Sequence, residues 1–115
     1  PHKHESKGES YHIMEGEMGA FLFDEKGIVQ EAYTLDAHNT SIYRVGTNVY
    51  HAVMPLTDWV LYHEAKPGPF LGKGDSIFAE WAPDGIDEHA SVEYTAELRK
   101  LLEVRHSNDD ANAEL

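Results

Sequence analysis

Short runs in which hydrophobic and polar residues alternate dominate the chain up to Glu64 and predict a series of β-strands. In the run at residues 10–15, Tyr11 and Ile13 share one face, and Ser10, His12 and Met14 share the other. Five further runs, rich in β-branched and aromatic residues, follow at 19–24, 28–35, 40–45, 49–53 and 59–64. Strands at this spacing, separated by turns at 24–27, 36–39 and 46–48, predict an antiparallel sandwich or barrel.

The character of the chain changes after Glu64. Residues 66–70 (KPGPF) contain two prolines, which lack the amide donor that a central strand needs. Glycine and proline interrupt residues 71–86, which we predict to be a loop. From about 88 to 104 the spacing predicts a helix that Asp87 caps, with Tyr94, Leu98, Leu101 and Leu102 on one stripe. We therefore predict one domain over residues 1–104, with this helix at its end, and an acidic flexible tail over 105–115.

Composition narrows the classes of partner and cofactor. The 115 residues include 9 Lys and Arg against 21 Asp and Glu, a formal net charge of −12. Such a chain repels phosphate backbones and anionic lipids, so we expect neither nucleic acid nor a membrane as its partner. There is no cysteine, which excludes disulfides, thiolate metal sites and thiol nucleophiles. A metal site in this chain must use imidazole and carboxylate ligands.

Histidine and glutamate near the start of the chain have the spacing of metal ligands. His2 and His4 are separated by one residue, so an extended segment places both imidazoles on one face, about 6–7 Å apart. The turn-like residues 6–8 can bend Glu9 back onto this pair, and His51 follows the turn at 46–48. Three imidazoles and one carboxylate describe a catalytic-type site for one divalent metal ion, and Fe, Mn, Ni, Co and Zn suit it about equally. The alternative is that His2 and His4 belong to a solvated terminus.

The same residues resemble the two motifs of the cupin superfamily. HxHx₄Ex₆G at residues 2–16 resembles the first motif, and residues 46–51 (GTNVYH) resemble the second, with Gly46 in place of the usual proline and Asn48 in place of the usual glycine. Residues 62–70 (YHEAKPGPF) and 80–83 (EWAP) are similar to the WbuC family of small cupin metalloproteins. The resemblance implies a mainly all-β fold, a small antiparallel cupin β-barrel (double-stranded β-helix or jelly roll) with a C-terminal helix. It also implies His2, His4, Glu9 and His51 as the metal ligands.

Strand alternation then suggests which side chains surround the metal. Tyr11 and Ile13 share the face of Glu9, while Val49 and Val53 share the face of His51. Tyr11 is a candidate catalytic residue that could orient substrate or transfer a proton, although a barrel-filling aromatic is an equal alternative. Glu64 is the second catalytic candidate, with a paired structural carboxylate as its alternative, and Lys66 lies at the same parity. We expect His12 to face outward, and we expect both tryptophans, Trp59 and Trp81, to be packing residues.

The WbuC-like family is associated with bacterial surface-polysaccharide gene clusters. The resemblance therefore implies a metal-dependent enzyme, such as an isomerase or epimerase, acting on a sugar or sugar-nucleotide. A metal-dependent dioxygenase and a non-catalytic sugar- or metal-binding module are the alternatives. We expect a small polar substrate, a cytoplasmic location and a homodimer. The chain begins with Pro1 rather than Met, so we expect residues upstream of it, and a removed signal peptide stays an open alternative.

Overall fold

A computed structural model describes residues 1–113, with the side chains of residues 1–105. Within this part of the chain, two antiparallel sheets precede one α-helix, and a 3-10 turn (Gly72–Gly74) comes before the last strand. The strands are β1 (His2–Lys3), β2 (Glu9–Glu15), β3 (Glu17–Phe23), β4 (Val29–Asp36), β5 (Ile42–Val45), β6 (Tyr50–Pro55), β7 (Leu61–Ala65) and β8 (Ile77–Phe78), and the helix is α1 (Glu88–Ala113). The larger sheet has the order β4-β3-β6-β1-β8, and the smaller sheet has the order β5-β2-β7.

The predicted fold class is confirmed at this level: the chain is mainly β, its sheets are antiparallel, and a helix ends it. Two short strands were not predicted. β1 lies between β6 and β8, pairing His2 with His51 on one side and with Phe78 on the other. β8 falls within the segment 71–86 that was predicted to be a loop. A two-residue strand is too short to show an alternating pattern, so only its partners reveal it.

The helix ends later than the sequence pattern predicts. It continues to Ala113, past the predicted end near Val104 and through most of the predicted flexible tail. Residues 105–113 contain no glycine or proline, so no residue in this stretch breaks the helix, although its apolar stripe has ended. The last two residues of the predicted tail, 114–115, lie outside the described part of the chain.

Two hydrophobic clusters pack the smaller sheet, the larger sheet and α1 together as three layers. The first fills the space between the sheets, and the second lies between the larger sheet and α1. Alternation along β3 directs Met18 and Ala20 into the first cluster and Phe21 and Phe23 into the second. β3 is therefore buried on both faces. The first cluster consists of Tyr11, Ile13, Met18, Ala20, Leu35 and Val45, and the second of Phe21, Phe23, Ala32, Leu98 and Leu102.

The two tryptophans behave differently. Trp81 packs against Phe23, with ring centroids 5.1 Å apart, and against Tyr50 at 5.5 Å, so its predicted packing role is confirmed. Trp59 is 61% exposed, so the same prediction is wrong for this residue. It lies in the connection between β6 and β7.

Gly16 connects β2 to β3 at a point that excludes a side chain. Its φ is +84°, and a Cβ there would lie 2.5 Å from the carbonyl oxygen of Trp59 and 2.8 Å from Thr57 Oγ1. We therefore expect Gly16→Ala to lower the free energy of unfolding by at least about 2 kcal/mol, measured by urea denaturation. Gly46→Ala is the matched control, because a Cβ at Gly46 meets no atom within 4 Å. Equal stability of the two variants would contradict the close approach.

Candidate metal centre

The four predicted ligands come together between the two sheets. His2 on β1 and His51 on β6 are cross-strand neighbours in the larger sheet. Glu9 begins β2 in the smaller sheet, and His4 lies in the connection between β1 and β2. One ligand atom from each residue lies within 4.8 Å of the others. His4, Glu9 and His51 are buried and His2 is half-buried, and the cluster can hold a metal ion.

The turn before β6 connects the two halves of the centre. Asn48 has a φ of +57°, the left-handed conformation that was predicted for this position. Its backbone N–H donates to the carbonyl oxygen of His4 over 2.6 Å. This bond ties the segment that carries His4 to the turn that precedes His51. The two stretches that resemble the cupin motifs, although distant along the chain, are therefore in direct contact.

Backbone carbonyl groups determine which nitrogen of each buried imidazole carries the proton. His51 Nδ1 lies 2.8 Å from the carbonyl oxygen of Val49, and His4 Nδ1 lies 2.5 Å from that of Asp75. A carbonyl oxygen only accepts, so both Nδ1 atoms must donate. In the neutral rings, both Nε2 atoms then carry lone pairs. Metal-binding histidines in proteins are commonly held in this way, with the second ring nitrogen donating to a carbonyl or carboxylate.

Both lone pairs are directed at the same carboxylate. His51 Nε2 lies 3.1 Å from Glu9 Oε2, and His4 Nε2 contacts Glu9 Oε1. Among the described residues, neither His4 Nε2 nor Glu9 Oε1 has a hydrogen-bond partner. A buried polar atom without a partner costs about 1–3 kcal/mol, and lone pairs that face a carboxylate repel it. One divalent cation bound at this point would satisfy all of these atoms, so the donor set fits a metal ion.

The electrostatics of His2 and Glu9 also suit a cation. Burial, assisted by the neighbouring His51, lowers the pKa of His2 to about 4, so this imidazole is neutral near pH 7. Burial alone would raise the pKa of Glu9, but the hydrogen bond from Tyr11 and the nearby imidazole of His51 together lower this pKa to about 2. A neutral imidazole and an ionised carboxylate are the forms that bind metal.

Tyr11 lies beside the centre and contacts one of its ligands. The residue is 2% exposed, belongs to the cluster between the sheets, and donates its hydroxyl to Glu9 Oε2. Burial and the hydrogen bond to Glu9 raise the pKa of Tyr11, which keeps the phenol protonated. Tyr11 therefore orients the Glu9 carboxylate and fills the core at the same time. Its predicted sharing of a face with Glu9 and Ile13 is confirmed by the burial of all three.

Glu64 and Lys66 lie on the exposed side of the Glu9 carboxylate. Glu64 is the cross-strand neighbour of Tyr11 and is exposed. Burial of its carboxyl group, the charge of Glu9 and a hydrogen bond with Glu9 raise the pKa of Glu64. Lys66 Nζ lies 3.8 Å from Glu9 Oε1, and its side chain is 37% exposed. The centre thus has one acid and one ammonium group between its buried ligands and solvent.

Other predicted residues fall where strand parity placed them. Val49 and Val53 are partly buried against the cluster between the sheets, as expected for residues on the face of His51. His12 is exposed, as predicted, and none of the described histidines outside the ligand set joins the centre. The exposed ones are His12, His38, His63 and His89, and the side chain of His106 lies outside the described residues.

Three residues at the centre were not predicted: Lys7, Asp75 and Phe78. Lys7 and Asp75 form a buried ion pair next to His4, and the ring of Phe78 lies 6.1 Å from that of His2 while 73% of the residue is exposed. One feature of the sequence could have indicated them: the charged Lys7 lies between the predicted ligands His4 and Glu9. The sequence does not show that the loop at 71–86 returns to these ligands.

Cavities of appreciable size lie elsewhere. One of about 520 Å³ is found at the opposite end of β2, lined by Glu15, Gly16, Thr57, Asp58 and Trp59. Another of about 210 Å³ shares Asp58 and Trp59 with it. Neither contains a predicted ligand. The half-buried ligand, His2, lies next to the exposed ring of Phe78.

Within the described residues, no helix combines the length and the apolar character that crossing a membrane requires. Comparisons of the chain with protein-family models, with curated proteins and with solved structures find no match. The description of the centre therefore rests on the residues of this chain: three imidazoles and one carboxylate that can hold a metal ion.

Proposed function

We propose that this chain is a cupin-like metalloenzyme that holds one divalent metal ion on His2, His4, Glu9 and His51 and isomerises or epimerises a small carbohydrate. The observation that carries the proposal is the convergence of two oriented imidazole Nε2 atoms on one ionised, buried carboxylate. Two facing antiparallel sheets with the ligands between them support the cupin resemblance. The bound ion would act as a Lewis acid that polarises a carbonyl or hydroxyl of the substrate.

Three residues around the ligands have separate roles in the proposed reaction. Glu64 is the exposed cross-strand neighbour of Tyr11, and burial together with the charge of Glu9 raises its pKa, which suits a group that donates and accepts a proton. Tyr11 holds the Glu9 carboxylate by its hydroxyl hydrogen bond. The ammonium of Lys66, 3.8 Å from Glu9 Oε1, offsets negative charge on the solvent side and can orient a polar substrate. Proton abstraction next to a carbonyl requires this combination of an acid–base group and an electrophile.

Solvent exchange provides a test that works while the substrate is still unidentified. An enzyme that removes a carbon-bound proton returns a deuteron from D₂O, which mass spectrometry detects. We would incubate the metal-loaded protein with a pool of sugar phosphates and nucleotide sugars in D₂O. We expect one compound, or one closely related set, to gain deuterium. Metal-dependent oxygen uptake without deuterium gain would instead favour the dioxygenase. Tight binding with no change in any compound would favour the non-catalytic module.

Glu64→Gln separates catalysis from metal binding. We expect this variant to keep its metal and to lose deuterium incorporation by at least about 100-fold, because a positioned acid–base group contributes about 10²–10⁴ in rate. The matched control is Glu31→Gln, which changes an exposed carboxylate on β4 in the other sheet and should retain full activity. Unchanged exchange in Glu64→Gln would remove Glu64 from the proposal.

A further inference from the structure

A buried ion pair lies directly behind one of the metal ligands. Lys7 is 6% exposed and Asp75 is 4% exposed, and Lys7 Nζ contacts Asp75 Oδ1. Lys7 also donates to the carbonyl oxygen of Pro69 over 2.6 Å, and the backbone N–H of Leu71 donates to Asp75 Oδ1 over 3.2 Å. Lys7 precedes the ligand Glu9 by two residues. The pair therefore ties the segment 69–75 to the connection between β1 and β2, which carries His4 and leads into Glu9.

Asp75 contacts His4 in two ways. Its carbonyl oxygen accepts a hydrogen bond from His4 Nδ1 at 2.5 Å, and its carboxylate Oδ2 lies 3.6 Å from the same nitrogen. Within the described part of the chain, Oδ2 has no hydrogen-bond partner although it is fully buried. The other oxygen of this carboxylate, Oδ1, is held by Lys7 Nζ, which fixes the carboxylate next to the imidazole. A negative charge on the Nδ1 side makes Nε2 a stronger electron-pair donor.

Stability alone does not account for this arrangement. Burying two charges carries a desolvation penalty, and replacing a buried ion pair with apolar residues of similar volume is often neutral or stabilising. The location of the pair indicates a role at the centre, because the Asp75 carboxylate lies beside Nδ1 of His4, the nitrogen whose hydrogen bond orients this ligand. Lys7 holds the Asp75 carboxylate at this position beside His4.

We propose that Lys7 and Asp75 are positioning residues that set the orientation and the donor strength of His4, and through His4 the metal affinity of the centre. This inference rests on the proposed metal centre. It goes beyond that proposal because it assigns part of the binding free energy to two residues that contact no metal. It also makes the segment 69–75 part of the centre, since Lys7 contacts both Pro69 and Asp75 of this segment and Asp75 contacts His4.

The test is a titration with Co²⁺, whose visible absorption reports the geometry and strength of its ligands. We expect Asp75→Asn to bind Co²⁺ about 10–100-fold more weakly than the unmodified chain, with a shifted absorption band. Asp58→Asn is the matched control, because Asp58 is an exposed aspartate beside the distant cavity, and it should change neither quantity. Circular dichroism of the metal-free proteins selects a temperature at which all of them are folded. A merely structural role would alter the unfolding temperature and leave the absorption band unshifted.

A second variant guards against unfolding caused by an unpaired charge. Lys7→Met combined with Asp75→Leu removes both charges and keeps an apolar volume, so we expect it to fold and to bind Co²⁺ more weakly. Native affinity and an unshifted band in either folded variant would overturn the inference while leaving the metal centre in place. If the unmodified chain itself bound no Co²⁺, the proposed function and this inference would both be wrong.

Discussion

Replacing His51 with alanine is expected to remove the bound metal while the fold persists. His51 is 2% exposed, and its Nε2 is directed at Glu9. Replacing His51 therefore removes one ligand from the buried side of the centre. We expect an affinity loss of more than about 100-fold, larger than the effect of a residue that only contacts a ligand. The backbone pairing of β6 with β3 and β1 does not depend on the imidazole. Elemental analysis after dialysis measures the metal, and circular dichroism checks the fold.

The control for this variant is another histidine in a strand. His63 on β7 is exposed and lies outside the ligand cluster, so His63→Ala should retain about one equivalent of metal. A His2→Ala/His4→Ala double variant should lose the metal as His51→Ala does. Full retention of metal in His51→Ala would refute the ligand assignment. The identity of the metal in the unmodified chain also guides the next assay, because iron would direct attention to oxygen chemistry and manganese or zinc to isomerisation.

Phe21→Ala is expected to cause the largest loss of stability of any substitution considered. Phe21 is 0% exposed and lies in the cluster that joins the larger sheet to α1, together with Leu98 and Leu102. Removing a buried phenylalanine ring leaves a cavity and typically lowers the free energy of unfolding by about 3–5 kcal/mol. Urea denaturation of the metal-free protein measures this change.

An exposed helix position provides the comparison. Val92 is 59% exposed, so Val92→Ala should change the free energy of unfolding by no more than about 0.5 kcal/mol. A loss below about 1 kcal/mol for Phe21→Ala would mean that the helix does not pack on this sheet as described. Phe21 points away from the centre, since the alternation along β3 separates it from Met18 and Ala20. Metal stoichiometry in the folded fraction should therefore stay unchanged.

The features of this protein that were predicted correctly depend on patterns within short stretches of the sequence. Alternation predicted that Glu9, Tyr11 and Ile13 share a buried face, because side chains of a strand alternate regardless of what the strand pairs with. The turn at Asn48 follows from residue type, since asparagine tolerates a positive φ. The clustering of His2, His4, Glu9 and His51 could be predicted because the spacing of the first three and the turn before His51 are local features.

The tertiary structure alone decided how these local pieces combine. β1 and β8 exist only as pairing partners, since two-residue strands have no periodicity of their own. Lys7 and Asp75 meet across the fold, and two backbone carbonyl groups orient the imidazoles of His4 and His51. The direction of a carbonyl group depends on the backbone path rather than on the residue type, so no sequence pattern reports it. The sequence by itself thus determined which atoms are available to bind a metal, and the packing of the two sheets decided which of them point at one another.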